Sequence, residues 1–284
     1  MNWLKTASLM IVMSALVVLV GGLVGGMSGL IVALIFAFIM NFFAYWFSDR
    51  LALMMAGAHE VSENDEPKLH ALIARVAQEA NLPKPKVYVV NNDSPNAFAT
   101  GRNPTHAVVA VTTGIRRILS EEELEGVIGH ELAHVKNRDM LTMSIVATLA
   151  SVITFLAFMA QMAMFWGGGR DRRDSNPMGL IVFLAVAIFM PMAATLIRLA
   201  VSRTREYEAD ATGAKIVRKP WALADALEKL ETAVQRRPMK EDGAKTAVAH
   251  LFIVNPFSGK GMVNLFSTHP PVQERVRRLR AMHI

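Results

Sequence analysis

The stretch GVIGHELAHVKNRDMLTMSIV, residues 126–146, joins two kinds of chemistry in a short length of chain. Its first part contains two histidines and a glutamate, and its second part begins an uncharged stretch that continues to Gly169. The first part has the spacing of a metal site on a helix, and the second has the composition of a membrane span. The sequence therefore predicts a metal centre directly beside a bilayer.

The composition favours a membrane protein over an ordinary soluble domain. Of the 284 residues, 52% are hydrophobic and 19% are charged, and three runs contain no charge at all: residues 6–48, 140–169 and 175–197. About 20 apolar residues span a bilayer as a helix, so the first run has room for two spans and the others for one each. We expect four transmembrane helices, in hairpins at 1–48 and 141–200, rather than the buried helical core of a soluble protein.

The first hairpin requires a break, and a glycine cluster within residues 21–29 supplies it. We expect helices of roughly Ala7–Leu23 and Leu30–Phe47 on either side of a tight turn. A cleaved signal peptide is the alternative for the N-terminus. A retained anchor is favoured, because a second apolar segment follows without a convincing cleavage site.

The net charge of +6 does not indicate a nucleic-acid-binding protein, because its distribution is uneven. Residues 49–140 contain 10 Lys and Arg against 13 Asp and Glu, whereas residues 201–284 contain 15 against 9. The basic excess follows the last span, where cytoplasmic segments of membrane proteins usually carry it. The chain has no cysteine, which excludes disulfides and thiolate ligands.

The polar segments 49–140 and 201–284 are expected to form one α+β domain in two parts. Pro67 begins an amphipathic helix, and the β-rich stretches KVYVV (86–90) and HAVVAVT (106–112) follow it. NAFATG (96–101) between them is either a short strand or a turn. Ser120 and Glu123 then form a capping box, which begins the helix that contains HELAH.

His130 and His134 are four residues apart, so on a helix both imidazoles can reach one ion. Glu131 lies about 100° round the helix from His130, where its carboxylate can contact a water at the metal rather than the metal itself. Zinc lowers the pKa of such a water, and the carboxylate can accept its proton as it attacks a carbonyl. This is the arrangement of a metallopeptidase. The alternative is a helix with two structural surface histidines.

The segment SRTREYEAD (202–210) offers a third ligand after the fourth run. Glu206 and Asp210 are four residues apart and share a helix face. One carboxylate could bind the metal while the other orients a ligand histidine through its second nitrogen. The alternative is a solvated acidic turn.

HELAH, an apolar hairpin and SRTREYEAD, in that order, resemble the family of integral-membrane zinc peptidases that includes the type I CaaX prenyl protease and bacterial heat-shock membrane proteases. NAFATG (96–101) and THPP (268–271) are similar to further signatures of that family. The resemblance covers nearly the whole chain. The length of the chain and its four expected spans match the bacterial members of the family, since the prenyl protease has more spans.

The resemblance implies a zinc-peptidase domain of the gluzincin type, with one Zn²⁺ per chain. It makes His130, His134 and Glu206 the zinc ligands and Glu131 the general base. It also makes Asp210 the partner of a ligand histidine, with His130 the favoured one, and gives His269 a role at the oxyanion. Pro270 and Pro271 could equally make His269 the entry to a helix.

Substrates of such peptidases generally add as a strand at a sheet edge. That edge is expected within 96–101, where Asn96, Ala97, Phe98 and Ala99 would contact the substrate, or within 106–112.

The two ligand segments must meet at one ion, so the chain between them crosses the membrane an even number of times. Seven basic residues flank the apolar runs on the side of the ligands and three on the other side, which favours the ligand side as cytoplasmic. The seven are Lys5, Arg50, Lys136, Arg138, Arg198, Arg203 and Arg205. Both termini would then lie inside a bacterial cytoplasmic membrane. An alternative is that the third and fourth helices enter the bilayer without fully crossing it.

The leading functional hypothesis is a zinc endopeptidase that cleaves membrane proteins on their cytoplasmic side. Its action on damaged or misassembled proteins in a stress response is implied by the family alone. A non-enzymatic membrane scaffold or transporter with a structural metal site is the alternative, although the runs lack the intramembrane charges typical of a transporter. A metal hydrolase acting on soluble substrates is a third. The oligomeric state is left open.

Overall fold

A computed structural model describes residues 2–145, 203–236, 253–254 and 270–284. Of the predicted third span, only residues 140–145 are described, and they are helical. The predicted fourth span and His269 lie outside the described residues.

The N-terminal apolar run forms a helical hairpin. Helix α1 (Asn2–Ala56) is kinked at Gly26, whose φ of 59° lies in the left-handed region that favours glycine. The two halves approach so closely that a Cβ atom on Gly29 would lie 2.2 Å from the carbonyl oxygen of Gly21. Asn41 Nδ2 also donates a hydrogen bond to Ser14 Oγ between them. The structure thus contains the predicted hairpin with a glycine turn.

The second half of α1 is long and apolar enough to cross a membrane. It comprises 31 residues, Gly26–Ala56, and its most apolar stretch of 18 residues has a mean hydropathy of 2.3. Its buried positions include the small residues Ala33, Ala37 and Ala44, whereas bulky side chains such as Phe38 are exposed. Small residues allow close helix packing, and an exposed apolar surface suits lipid.

The same helix continues past its predicted end at Phe47 to Ala56, because its last turns pack against the domain. Ala52 and Leu53 join a cluster of buried residues with Phe98, Ala110 and Met143. Only Asp49 and Arg50 interrupt the apolar sequence, and burial of the apolar residues that follow them favours the longer helix. The apolar hairpin and the sheet are therefore in direct contact.

The domain contains a four-stranded sheet in the order β1-β2-β4-β3. Its strands are β1 (Ala58–Glu60), β2 (Lys86–Val90), β3 (Ala97–Thr100) and β4 (Val108–Thr112). Strands β2 and β4 are parallel, whereas β3 pairs antiparallel with β4. The NAFATG stretch is therefore a strand and not a turn. Within the described residues β3 has β4 as its sole partner, so β3 is an edge strand.

Helices pack against this sheet and against one another. They are α2 (Pro67–Glu79), α3 (Thr113–Ile118), α4 (Glu121–Asn137), α5 (Arg203–Val217), α6 (Pro220–Arg236) and α7 (Val272–Arg280). The apolar face predicted for α2 is buried, through Leu69, Leu72, Ile73 and Val76. The domain is α+β, as the sequence predicts.

Helix α4, which contains HELAH, is bounded by local signals. Both hydrogen bonds of the predicted capping box between Ser120 and Glu123 are present. The helix ends where Arg138 adopts a left-handed conformation with φ of 59°. This turn brings Asp139 back toward the helix, where its N–H donates to the carbonyl of His134 at 3.0 Å. All residues from Val127 to Val135 are buried.

Candidate active site

Two glycines set the distance between α4 and α5, the helices that contain the candidate ligands. A Cβ atom on Gly213 would lie 2.6 Å from the backbone nitrogen of His130, and one on Gly129 would lie 3.1 Å from the carbonyl oxygen of Gly213. The backbones therefore approach more closely than any side chain would allow. Glu206 lies two turns before Gly213 on α5, so this crossing places its carboxylate beside HELAH.

Three donor atoms converge at this crossing. His130 Nε2 lies 3.9 Å from Glu206 Oε2, and His134 Nε2 lies 3.6 Å from Glu206 Oε1. One donor atom from each of the three residues lies within 4.8 Å of the others. A tetrahedral zinc ion with ligands at about 2.0–2.1 Å needs donors roughly 3.3–3.4 Å apart, so a small side-chain adjustment would seat it. All three side chains are buried.

Each histidine has a carboxylate at its other ring nitrogen. His130 Nδ1 lies 2.9 Å from Asp210 Oδ1, and His134 Nδ1 lies 3.4 Å from Asp139 Oδ2. A carboxylate at Nδ1 favours the tautomer with a proton there and leaves Nε2 free to bind a metal. The structure therefore places Asp210 beside His130, the partner that the family resemblance favours, and adds Asp139 beside His134.

Glu131 lies on the same helix as the histidines, with its carboxylate directed to the edge strand. The N–H of Ala99 in β3 donates a hydrogen bond to Glu131 Oε2 at 2.9 Å. This contact fixes the carboxylate between the donor cluster and the sheet edge. A peptide bound along that edge would lie beside both the metal ligands and a carboxylate base.

Burial and neighbouring charges shift the pKa values of three titrating groups in the cluster. Burial and the nearby Glu206 raise the pKa of Glu131 to about 8. Burial opposes a charge on His134, but its hydrogen bond with Asp139 and the charge of Glu206 raise the pKa of His134 to about 9. Burial lowers the pKa of His130 and keeps it neutral. Such a site favours an added positive charge.

The number of buried charged groups also favours the binding of a cation. The cluster contains four carboxylates, Glu131, Asp139, Glu206 and Asp210, and two guanidinium groups, Arg205 and Arg275. In the metal-free protein at pH 7 the protons on Glu131 and His134 balance these charges, whereas with Glu131 ionised and His134 neutral, the states that metal binding requires, two negative charges are left unbalanced. Buried charges are costly unless they are paired, so a divalent cation fits the cluster in charge as well as in ligand type.

The proposed substrate residues lie at the edge of the sheet. Asn96 is buried before β3, and Ala97, Phe98 and Ala99 belong to that strand. Phe98 packs in the cluster with Ala52 and Leu53, so it faces the apolar helix. The edge near Glu131 is therefore 97–100 and not 106–112, since residues 108–112 form β4 in the interior of the sheet.

The sequence reasoning missed two residues of this site. Asp139 follows HELAH by five residues, and the RD dipeptide just after the helix was a signal that could have indicated it. Arg275 lies in α7, more than sixty residues beyond Asp210, and is fully buried against the Asp210 carboxylate. Its spacing from Val272, Val276 and Leu279 was a signal that could have indicated it, because on a helix it shares their apolar face. The neighbouring arginines Arg277, Arg278 and Arg280 lie off that face.

Comparisons with known proteins agree with this arrangement. Residues 63–283 match Peptidase family M48. A protease HtpX homolog of Syntrophobacter fumaroxidans is 51% identical over 98% of both chains, and one of Thermodesulfovibrio yellowstonii is 52% identical over 99% of both. One of Burkholderia multivorans is 50% identical, over 99% of this chain and 97% of its own.

A solved structure shares the fold. The crystal structure of S. mikatae Ste24p superposes with a TM-score of 0.50 at 17% identity, over 86% of this chain and 57% of that one. The present chain thus corresponds to a little over half of that larger protein. With the HELAH helix, helix α5 and most of the sequence inside the matched region, the chain belongs to peptidase family M48.

Proposed function

We propose that this protein is a membrane-anchored zinc endopeptidase that cleaves membrane proteins at the cytoplasmic surface of the bacterial inner membrane. The observation that carries the proposal is the convergence of His130, His134 and Glu206 beside the buried carboxylate of Glu131 and an edge strand. The protease names of relatives about 50% identical over nearly the full chain support it.

In this proposal His130 Nε2, His134 Nε2 and a Glu206 carboxylate oxygen hold one Zn²⁺ per chain. When bound, zinc supplies Lewis-acid chemistry, lowering the pKa of water and polarising a peptide carbonyl. Asp210 and Asp139 orient the two imidazoles through their Nδ1 atoms.

Glu131 acts as the general base. In the metal-free protein its pKa is raised to about 8, and a cation held by the neighbouring ligands would lower that pKa, so that the ionised carboxylate could accept a proton from the attacking water and return it to the leaving amine. The Ala99 N–H holds one carboxylate oxygen in place, so the other is directed to the reaction. The reaction needs no other reactant. The oxygen of the water bonds to the peptide carbonyl carbon, the C–N bond breaks, and the proton of the water passes through Glu131 to the amine nitrogen.

The substrate would extend the sheet as a strand beside β3. The N–H of Ala99 points away from β4 to Glu131, and the alternation of an antiparallel ladder directs the backbone groups of Ala97 to the same open side. Main-chain hydrogen bonds would supply affinity with little sequence preference, which suits damaged or misassembled proteins. His269 would assist at the oxyanion, as the family resemblance implies.

The membrane arrangement has four spans, with hairpins at 1–48 and 141–200 and a peptidase domain formed by 49–140 and 201–284. The described N-terminal hairpin supports the first pair. The second pair follows from the two uncharged runs between HELAH and α5. The seven basic residues on the ligand side support a cytoplasmic domain.

The test uses full-length protein purified in detergent and presented with an unfolded substrate. Wild-type protein should cleave it, lose activity to a chelator and recover it with zinc. Glu131→Gln should retain zinc and lose activity by about 10³–10⁴-fold, because the general base is removed. Glu121→Gln, an exposed change in the same helix, is the control. Wild-type protein that holds zinc but never cleaves, in detergent or in lipid, would support the scaffold alternative.

A further inference from the structure

Arg275 is the largest of the fully buried side chains among the described residues, and it lies beside the metal cluster. Its Nε and Nη2 donate to the two oxygens of Asp210 at 2.8 and 2.7 Å, a bidentate pair. Its Nη1 donates to the carbonyl oxygen of Ile253 at 2.8 Å and lies 3.8 Å from Glu206 Oε2. One side chain from α7 thus contacts both buried acids of α5, Glu206 and Asp210.

The contact with His130 is a proximity and not a hydrogen bond. Arg275 Nη2 lies 3.5 Å from His130 Nδ1, whereas Asp210 Oδ1 lies 2.9 Å from the same nitrogen. A His130 that donates from Nδ1 to Asp210 has no lone pair there for a second donor. Arg275 therefore reaches the ligand histidine through Asp210.

The other arginines of α7 behave differently. Arg277 and Arg278 pair with Glu274 on the same helix, and Arg280 pairs with Asp225 and Glu228 on α6. In all four pairs the arginine is solvent-exposed, and such pairs contribute little to stability. Burial of a guanidinium is costly unless its donors are satisfied, and the Asp210 carboxylate and the Ile253 carbonyl accept hydrogen bonds from Arg275 in the interior.

We propose that Arg275 is a positioning residue of the metal site, fixing the Asp210 carboxylate against His130 and directing Glu206 toward the two histidines. The inference rests on the proposed metal site. It makes metal retention dependent on α7, which follows the last ligand by more than sixty residues and contributes no ligand. The planar guanidinium suits this role because it holds a carboxylate in one orientation, which an ammonium does not.

Charge and positioning can be separated experimentally. Loss of a positive charge near the cluster would by itself favour a bound cation, whereas loss of positioning would disfavour it. Arg275→Lys keeps the charge and removes the bidentate geometry, so its effect reports positioning. Arg280→Lys makes the same change on the exposed side of α7 and is the matched control.

The experiment measures zinc dissociation constants of full-length protein in detergent by chelator competition, and the visible spectrum of the Co²⁺-loaded form. Arg275→Lys should raise the dissociation constant about 10-fold or more, within the range for residues that orient ligands, and should alter the Co²⁺ bands. Arg280→Lys should match wild type in both. In the Asp210→Asn background, Arg275→Lys should raise the zinc dissociation constant by less than about twofold, since the two residues act through one contact.

Unchanged zinc affinity and an unchanged spectrum in folded Arg275→Lys protein would overturn the inference. So would an Arg275→Lys change that raises the zinc dissociation constant as much in the Asp210→Asn background as it does in the wild type. If Arg275→Lys does not fold, Arg275→Gln takes its place. Because this change also removes a positive charge, which by itself would tighten zinc binding, weaker binding in Arg275→Gln supports positioning, and equal or tighter binding overturns it. Wild-type protein that binds no zinc would instead defeat the proposed metal site itself.

Discussion

Gly213 of α5 lies against the backbone of His130 in α4, where an added Cβ atom would be 2.6 Å from the His130 nitrogen. The neighbouring contacts are also backbone atoms, at 2.7 Å and 2.8 Å, so no side chain can rotate away to make room. The spacing of the two helices, and with it the distance from Glu206 to both histidines, therefore depends on the absence of a side chain at residue 213.

Replacing Gly213 with alanine should separate α4 from α5. We expect a loss of about 1–3 kcal/mol in the free energy of unfolding, as for overpacked cores, together with weaker zinc binding. Lys215→Ala, at an exposed position of the same helix, is the control. Thermal unfolding with and without zinc measures both effects. A Gly213→Ala protein with wild-type stability and zinc affinity would show that the crossing is not a close constraint.

Replacing Glu206 with alanine should remove most of the bound zinc, because two histidines remain of the three donors. Metal analysis of the purified protein, expected at about one zinc per chain in the wild type under this three-donor arrangement, provides the measurement. Glu208→Ala, an exposed acid two residues away, should keep its zinc. Full zinc occupancy in the Glu206→Ala protein would mean that the third ligand lies elsewhere.

Asp139→Asn and Asp210→Asn should each weaken zinc binding by about 10- to 100-fold, because each carboxylate orients one ligand imidazole. The loss should be larger at Asp210, whose oxygen lies 2.9 Å from His130 Nδ1, than at Asp139, at 3.4 Å from His134 Nδ1. Asp225→Asn, on the exposed surface of α6, is the control. If all three variants bind zinc as tightly as the wild type, the two buried acids serve folding alone.

Zinc binding should strengthen as the pH rises toward about 9. Before a metal ion binds, His134 has a pKa raised to about 9 and Glu131 one raised to about 8, so both are protonated at pH 7. A metal ligand must be the neutral imidazole, so binding displaces the His134 proton, and the dissociation constant falls about tenfold per pH unit for each proton displaced. Calorimetry in buffers of different ionisation enthalpy counts the released protons. A dissociation constant that is constant from pH 6 to 8 would contradict the raised pKa of His134.

A proline at residue 97 should impair cleavage more than zinc binding. Ala97 is the first residue of edge strand β3, where the fold tolerates proline, and the change removes one N–H from the open edge. Ala99→Pro should be more severe, since the N–H that donates to Glu131 is also lost. Cleavage rates and zinc content are measured for each variant. Parallel loss of both properties at residue 97 would mean that the strand serves the fold and not the substrate.

Features that depend on neighbours along the chain were predictable from the sequence. The spacing of His130 and His134 places both on one helix face wherever that helix lies, and Ser120 and Glu123 cap it through contacts three residues apart. The glycine turn of the hairpin and the α+β character of the domain follow from similarly local patterns. The sequence also placed Glu206 and Asp210 on one helix face.

Tertiary packing decided the features that join distant segments. Only the folded domain shows that β3 is the edge beside Glu131, that Asp139 turns back to His134, and that Arg275 lies against Asp210. Helix periodicity fixes the direction of a side chain relative to its own axis, but the partner it meets depends on how two axes cross. Here that crossing is set by Gly129 and Gly213, which lie 84 positions apart in the sequence. The residues next to each glycine along the chain do not indicate that another helix backbone will pack against it.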